Sequence, residues 1–174
     1  DATYNSKGEL FFTDPPYGLP GRDDNDPSKE IKWNGVYKVK KNGEVILLID
    51  SLARPNGIAF FPGGKRLLVA NSDPQKPNWY VYDVIGDKLA NGKIFYSTAG
   101  HDKKLNGSPD GLKIDKKGNV YATGPGGIYF FNSNAKLLGR LIVPEATSNV
   151  ALSADEKTLY ITNNMQVLRL QMRK

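Results

Sequence analysis

Short apolar runs, separated by clusters of Gly, Pro, Asn, Asp and Lys, recur along the whole chain. Apolar and polar positions alternate within many of these runs, which is the two-residue period of half-buried β-strands. The pattern predicts strands near 2–5, 9–13, 35–40, 44–49, 79–84, 93–96, 127–131, 137–142 and 166–171. Asn-Gly dipeptides favour tight hairpin turns, so we expect turns between outer strands at Asn42–Gly43 and Asn91–Gly92.

One longer pattern occurs four times, beginning at Asp1, Asn56, Asp110 and Asn149. Each copy runs through a short apolar strand, turns at Lys, Gly or Asp, and enters a second strand that ends in Thr, Ala, Asn or Asp. A repeat of roughly 40 to 55 residues built from short strands is typical of a β-propeller, in which each repeat forms one four-stranded blade. We therefore predict an all-β propeller with blades at approximately 1–50, 56–97, 110–142 and 149–174.

The fourth repeat is shorter than the others and predicts only three strands, the last at 166–171. Propellers have about four to eight blades, whereas this sequence predicts about three and three-quarters, a partial propeller whose N-terminal part is missing. Unpaired strand edges bind other chains, and each repeat needs a neighbour to cover its apolar face. We therefore expect an open arc of blades that self-associates or contacts the missing part.

The first residues of the four repeats should converge, because the first strand of every propeller blade lines the central channel. Four side chains that carry oxygen around one axis would form a cation site, and Ca²⁺ takes about six to eight oxygen ligands. The alternative is structural, since Asn and Asp often bond their own backbone in turns. That alternative applies to Asn56 and Asp110, which precede Gly, and equally to Asp1 and Asn149.

Composition excludes several classes of function. The chain has no Cys, and its one His cannot form a His-rich zinc site. The net charge is +6, but Lys and Arg are spread over turns, so we predict no nucleic-acid surface. No apolar run reaches membrane-spanning length, so we predict no membrane partner. The sequence does not determine the compartment, although we favour a periplasmic or secreted one.

Four motifs resemble the SMP-30/gluconolactonase/LRE-like family of six-bladed propeller lactonases. They are FTDPPYG at 12–18, RPNGIAF at 54–60, SPDGLKID at 108–115 and LYIT at 159–162. The resemblance covers essentially the whole chain and falls on roughly the last two-thirds of such a protein. It implies a lactonase that needs a divalent metal ion, most simply Ca²⁺, with Mg²⁺, Mn²⁺ and Zn²⁺ as alternatives.

The resemblance also implies roles for individual residues. Asn56 matches a metal ligand of the family, and Asp110 matches a residue that binds the metal and donates or accepts a proton. Asp1 matches the second member of an Asn-Asp pair that helps to hold substrate or metal. The family's metal-binding Glu and substrate-binding Arg have no counterpart in this sequence, so we expect this chain alone to be inactive.

Further substrate-binding candidates are Tyr17, His101 and Asn149. Tyr17 follows two prolines that stiffen its loop, and His101 lies on the loop that leads to Asp110. For Tyr17 the alternative is simple packing, and for His101 it is a solvated loop position. The loop from 18 to 33 contains RDDND at 22–26 but lacks the Gly and Glu spacing of an EF-hand, so we expect a surface loop or lid rather than a calcium loop.

Two functions follow from these observations. The first is metal-dependent hydrolysis of a sugar lactone such as gluconolactone, in which the ion polarises the ester carbonyl and Asp110 handles the proton. The second is a non-catalytic propeller that acts as a ligand-binding or interaction scaffold, because a fold alone does not determine activity. The sequence has neither a G-x-S-x-G elbow nor an H-E-x-x-H motif, which disfavours other hydrolase classes.

Overall fold

The computed structural model describes residues 1–102 and 104–172. In these residues, four antiparallel sheets contain fifteen strands, with the strands of each sheet in chain order. Blade 1 contains β1 (Ala2–Tyr4), β2 (Leu10–Asp14), β3 (Gly35–Val39) and β4 (Val45–Ile49). Blade 2 contains β5 (Pro55–Phe60), β6 (Arg66–Asn71), β7 (Asn78–Ile85) and β8 (Lys88–Ser97).

Blades 3 and 4 complete the described part of the chain. Blade 3 contains β9 (Leu112–Ile114), β10 (Val120–Gly124), β11 (Gly127–Phe131) and β12 (Leu137–Ile142). Blade 4 contains β13 (Thr147–Leu152), β14 (Thr158–Asn163) and β15 (Gln166–Gln171). The innermost strands β1, β5, β9 and β13 contact one another in succession, so the blades are arranged as in a propeller. The predicted all-β propeller fold is confirmed. No helix in the described residues is long and apolar enough to cross a membrane.

Apolar cores lie between successive blades, because the two faces of a strand point toward different neighbours. In β6, Leu67 and Val69 pack into the core shared with blade 1, together with Phe11, Val36 and Ile58. The intervening Leu68 and Ala70 pack into the core shared with blade 3. That core also contains Trp79, Leu112, Tyr129 and Phe131. Two-sided burial explains why this strand reads as a continuous apolar run.

The predicted turn at Asn91–Gly92 is wrong, whereas the turn at Asn42–Gly43 is confirmed. The β7–β8 hairpin turns at Gly86–Asp87, and Asn91 and Gly92 lie inside β8. The pairing of β7 and β8 shifts at this position, Asn91 has a φ of 52°, and its Nδ2 donates to Asp83 Oδ2 at 2.8 Å. A Cβ at position 92 would lie 2.4 Å from the Tyr82 ring. This Asn-Gly pair therefore forms a bulge packed on an aromatic ring.

Candidate functional site

The structure brings the first residues of the four repeats to the innermost strands. Asn56 lies in β5 and Asn149 in β13, while Asp1 and Asp110 lie just before β1 and β9. Asn149 Nδ2 donates to Asp1 Oδ1 at 3.2 Å, which joins the last blade to the first. The four side chains therefore belong to one wall, which we call the channel wall and define as Asp1, Asn56, Asp110 and Asn149.

Two glycines allow the innermost strands to approach closely at this wall. A Cβ on Gly57 would lie 2.1 Å from the Asp110 carbonyl oxygen, and a Cβ on Gly111 would lie 2.3 Å from the Asn149 side chain. Neither glycine has a positive φ, so neither is needed for a left-handed turn. The Asn-Gly and Asp-Gly pairs of the motifs therefore serve packing between blades.

Hydroxyl groups at or just after the end of the second strand of each blade (β2, β6, β10 and β14) hold the backbone at or next to the channel-wall residues. Four of them donate hydrogen bonds to nearby carbonyl oxygens: Thr13 to Asn56 at 2.6 Å, Ser72 to Pro109 at 2.5 Å, Thr123 to Gly111 at 3.0 Å and Thr162 to Asn149 at 3.1 Å. The bonds from Thr13 and Ser72 cross from one blade to the next. Sequence analysis missed this role, although the repeated polar ending of the second strand was its visible signal.

Asp110 has an environment that opposes its charge. Burial raises the pKa of its carboxyl group to about 6, although the Asp1 ammonium and the Gly111 backbone N–H lower it. Among the described residues, Asn56 donates through Nδ2 to Ser72 at 3.0 Å, and no hydrogen bond to its Oδ1 is made. The site thus offers a carboxyl group that titrates near neutral pH and an uncommitted amide oxygen. Such a carboxyl group can act as a general acid or base.

Lys113 is a second ionisable group beside the wall, and sequence analysis did not identify it. It lies in β9, two residues after Gly111, and both positions face Asn149 of β13. Its Nζ is 3.0 Å from the Leu112 carbonyl oxygen and 3.3 Å from Asn149 Oδ1. Burial lowers the pKa of this ammonium group. Lys113 therefore places a hydrogen-bond donor next to Asn149.

The long loop after β2 places Tyr17 near the wall. Tyr17 lies in a short 3₁₀ helix, Pro16–Gly18, and is 41% exposed. Burial raises the pKa of its hydroxyl, whereas the nearby Ser72 hydroxyl and Arg54 guanidinium lower it. Arg54 lies 5.9 Å from the Tyr17 ring and binds Asp24 at 3.1 Å. The loop is therefore attached to blade 2 through Asp24, an acidic residue of the segment that the sequence analysis rejected as a calcium loop.

The structure places His101 against the rim of blade 3. Its Nδ1 lies 2.9 Å from the Tyr129 hydroxyl, and the two rings stack with centroids 6.0 Å apart. Burial and the nearby Arg140 lower the pKa of the imidazole. These contacts show a packed histidine rather than a fully solvated one, and its substrate-binding role stays a prediction.

Oxygen donors at the wall suit a hard cation, which prefers carboxylate and amide oxygens. Asp110 offers a carboxylate and Asn56 offers Oδ1, so they fit part of such a shell. Within residues 1–102 and 104–172, no group of three or more His, Asp or Glu side chains is arranged to hold a metal ion. The two donors would therefore need oxygen ligands beyond those of this carboxylate and this amide.

Comparison with known proteins identifies a family that this chain matches. A family model for the SMP-30/gluconolactonase/LRE-like region matches residues 1–164. A gluconolactonase from Zymomonas mobilis is 36% identical over 176 residues, covering 98% of this chain and 49% of that protein. The diisopropyl-fluorophosphatase of Loligo vulgaris is 26% identical over 172 residues, covering 94% of this chain and 53% of that protein.

This chain is also similar to a solved structure. A gluconolactonase from Xanthomonas campestris has a TM-score of 0.86 and 26% identity, covering 99% of this chain and 56% of that one. The chain spans about half the length of the relatives it matches. Its motifs, its blades and the match over residues 1–164 agree, and the chain belongs to the SMP-30/gluconolactonase/LRE-like family.

Proposed function

We propose that this chain carries part of the active site of a lactonase that hydrolyses a sugar lactone such as gluconolactone. The observation that carries the proposal is the partly buried Asp110 carboxyl group, which lies on the channel wall close to Asn56 and whose pKa desolvation raises to about 6. The similarity to the Zymomonas mobilis protein named gluconolactonase supports the choice of reaction.

A divalent ion, most simply Ca²⁺, is part of the proposal, with Mg²⁺, Mn²⁺ or Zn²⁺ as alternatives. Asn56 Oδ1 and the Asp110 carboxylate would hold it, because they are the uncommitted amide oxygen and the partly buried carboxylate of the wall. When bound, such an ion polarises an ester carbonyl and lowers the pKa of a water molecule.

The residues of the chain would then bind the lactone and move a proton. Water adds to the carbonyl carbon, the ring C–O bond breaks, and the ring oxygen takes up a proton, which gives a hydroxy acid. Asp110 accepts the proton of the water and returns it to the leaving oxygen. Asp1, Asn149 and Tyr17 offer hydrogen-bonding groups to sugar hydroxyls, and we assign His101 to the rim of the site.

Kinetics with gluconolactone test this function, and they are measured on the natural protein, by which we mean the protein at whatever length it has in its organism. Activity should require Ca²⁺, disappear in EDTA and return when Ca²⁺ is restored. Asp110→Asn should lower kcat/KM by at least about 100-fold, because general acid–base catalysis contributes about 10²- to 10⁴-fold. Asp155→Asn, at an exposed turn of blade 4, is the matched control and should keep normal activity. If Asp110→Asn retained near-normal turnover at saturating Ca²⁺, the assigned role would be wrong.

A further inference from the structure

Ser72 makes contacts on both sides of the boundary between blades 2 and 3. It directly follows β6 and is only 4% exposed. Its hydroxyl donates to the Pro109 carbonyl oxygen at 2.5 Å, and Asn56 Nδ2 donates to the same hydroxyl at 3.0 Å. One buried hydroxyl thus contacts Asn56 itself and the residue that precedes Asp110.

The hydrogen-bond chemistry of Ser72 determines which way the Asn56 amide faces. A carbonyl oxygen can only accept, so the single proton of the hydroxyl must go to Pro109. The hydroxyl can then only accept from Asn56, which requires the NH₂ end of the amide to face Ser72. Oδ1 must consequently face away from Ser72. An amide without such a partner could turn over, because its oxygen and nitrogen ends have nearly the same shape.

Ser72 also controls the backbone that carries Asp110. The Pro109 carbonyl accepts its hydroxyl proton, and the Asp110 carbonyl oxygen lies against Gly57, where a Cβ would come within 2.1 Å. The Asp110 backbone is therefore held between these two contacts.

We propose that Ser72 is a positioning residue, which turns Asn56 Oδ1 toward the cation and holds Asp110 at the matching distance. This role rests on the proposed function, because it presupposes that Asn56 and Asp110 bind a cation. In this role Ser72 would act through Asn56 and Asp110 rather than by contacting the ion or the lactone. Its effect is the pre-organisation of two groups that come from different blades.

Calcium titration calorimetry of the natural protein and its Ser72→Ala variant tests the role. We expect the variant to bind Ca²⁺ about 10- to 100-fold more weakly, which is the usual cost of losing a residue that orients a ligand. The rate at saturating Ca²⁺ should change much less than the affinity. Ser72→Thr, which keeps the hydroxyl, should restore most of the affinity.

Ser153→Ala is the matched control. The Ser153 hydroxyl also donates to one group, Asp155, and accepts from another, the Thr158 backbone N–H, but it lies in the β13–β14 turn of blade 4. Thermal unfolding in EDTA should show that both alanine variants are folded and lose similar stability. Unchanged Ca²⁺ affinity in Ser72→Ala, or an equal loss in Ser153→Ala, would overturn the role of Ser72. A natural protein that neither binds Ca²⁺ nor hydrolyses gluconolactone would overturn the proposed function as well.

Discussion

Asp110 combines a partly buried position with a carboxyl group that would have to ionise to bind the proposed cation. Its folded-state pKa of about 6 lies above the ordinary value of 3.8, so the folded protein binds more protons than the unfolded chain between about pH 4 and pH 6. The free energy of unfolding therefore falls as pH rises through this window. Above it, the charged carboxylate lowers the stability of the metal-free protein.

We expect Asp110→Asn to stabilise the metal-free protein at pH 7.5 by about 1 to 3 kcal/mol. The upper value multiplies the difference between the folded pKa of about 6 and the ordinary value of 3.8 by about 1.4 kcal/mol for each pKa unit. Because Asp110 is partly exposed, solvent screening makes the actual gain smaller. The gain should vanish below about pH 3, where Asp110 is protonated in both the folded and the unfolded state. Denaturant unfolding in EDTA at the two pH values measures it. Asp155→Asn should show no such gain, because hydrogen bonds with Ser153 and Lys157 lower the Asp155 pKa. A destabilised Asp110→Asn variant at pH 7.5 would contradict this account.

Asn56 should contribute to affinity more than to the chemical step. We expect Asn56→Ala to weaken Ca²⁺ binding, while the rate at saturating Ca²⁺ falls less, because the substitution leaves the Asp110 carboxyl group in place. Calorimetry and kinetics at saturating Ca²⁺ separate the two effects. Asn134→Ala, at an exposed turn beside Asn132, should change neither quantity. An Asn56→Ala variant with native affinity would show that this amide is not a ligand.

At the scale of the elements, close packing of the innermost strands decides where the wall residues lie. Gly57 and Gly111 each stand where a side chain would overlap the next blade. The same principle accounts for the bulge at Gly92, which packs on Tyr82. A glycine in these strands therefore marks contact with another element rather than a change of chain direction.

Gly57→Ala tests this packing. The added Cβ would lie 2.1 Å from the Asp110 carbonyl oxygen, so β5 and β9 must separate. We expect a loss of about 1 to 3 kcal/mol, the usual cost of overpacking, together with weaker Ca²⁺ binding. Gly139→Ala is the control, because a Cβ there meets nothing within 4 Å. Thermal unfolding and calorimetry report the two effects, and equal behaviour of both variants would refute the packing role.

At the scale of the whole molecule, the first and last blades expose large apolar side chains. Tyr4 is 68% exposed and Val45 57% in blade 1, and Val167 is 70% exposed and Tyr160 40% in blade 4. Exposed apolar faces and sheet edges favour association. In the proposed cation site, Asn56 and Asp110 would supply only part of the roughly six to eight oxygen ligands that Ca²⁺ takes.

We therefore expect this chain on its own to associate as its concentration rises and to bind Ca²⁺ weakly. Light scattering over a concentration series and calcium titration calorimetry measure the two properties. Val167→Lys should reduce the association, whereas Lys116→Ala, at an exposed turn, should not. A monomer at every concentration that binds Ca²⁺ with micromolar affinity would contradict both expectations.

The sequence alone determined the fold class and the candidate wall residues. Strand alternation is encoded locally in each repeat, and the fourfold pattern assigns Asp1, Asn56, Asp110 and Asn149 equivalent positions, so both could be inferred without coordinates. That Asn91–Gly92 forms a bulge rather than a turn could not be inferred in this way. The bulge depends on how β8 pairs with β7 and packs on Tyr82.

Only the tertiary structure decided how the wall is held and which groups are charged near it. Ser72 and Asp110 are far apart in sequence, and their link through Pro109 exists only because blades 2 and 3 pack together. The pKa of Asp110 and that of Lys113 depend on burial by other blades. Hydrogen bonds between blades and the loss of solvent around a charge arise only when the repeats come together, so no single repeat encodes them.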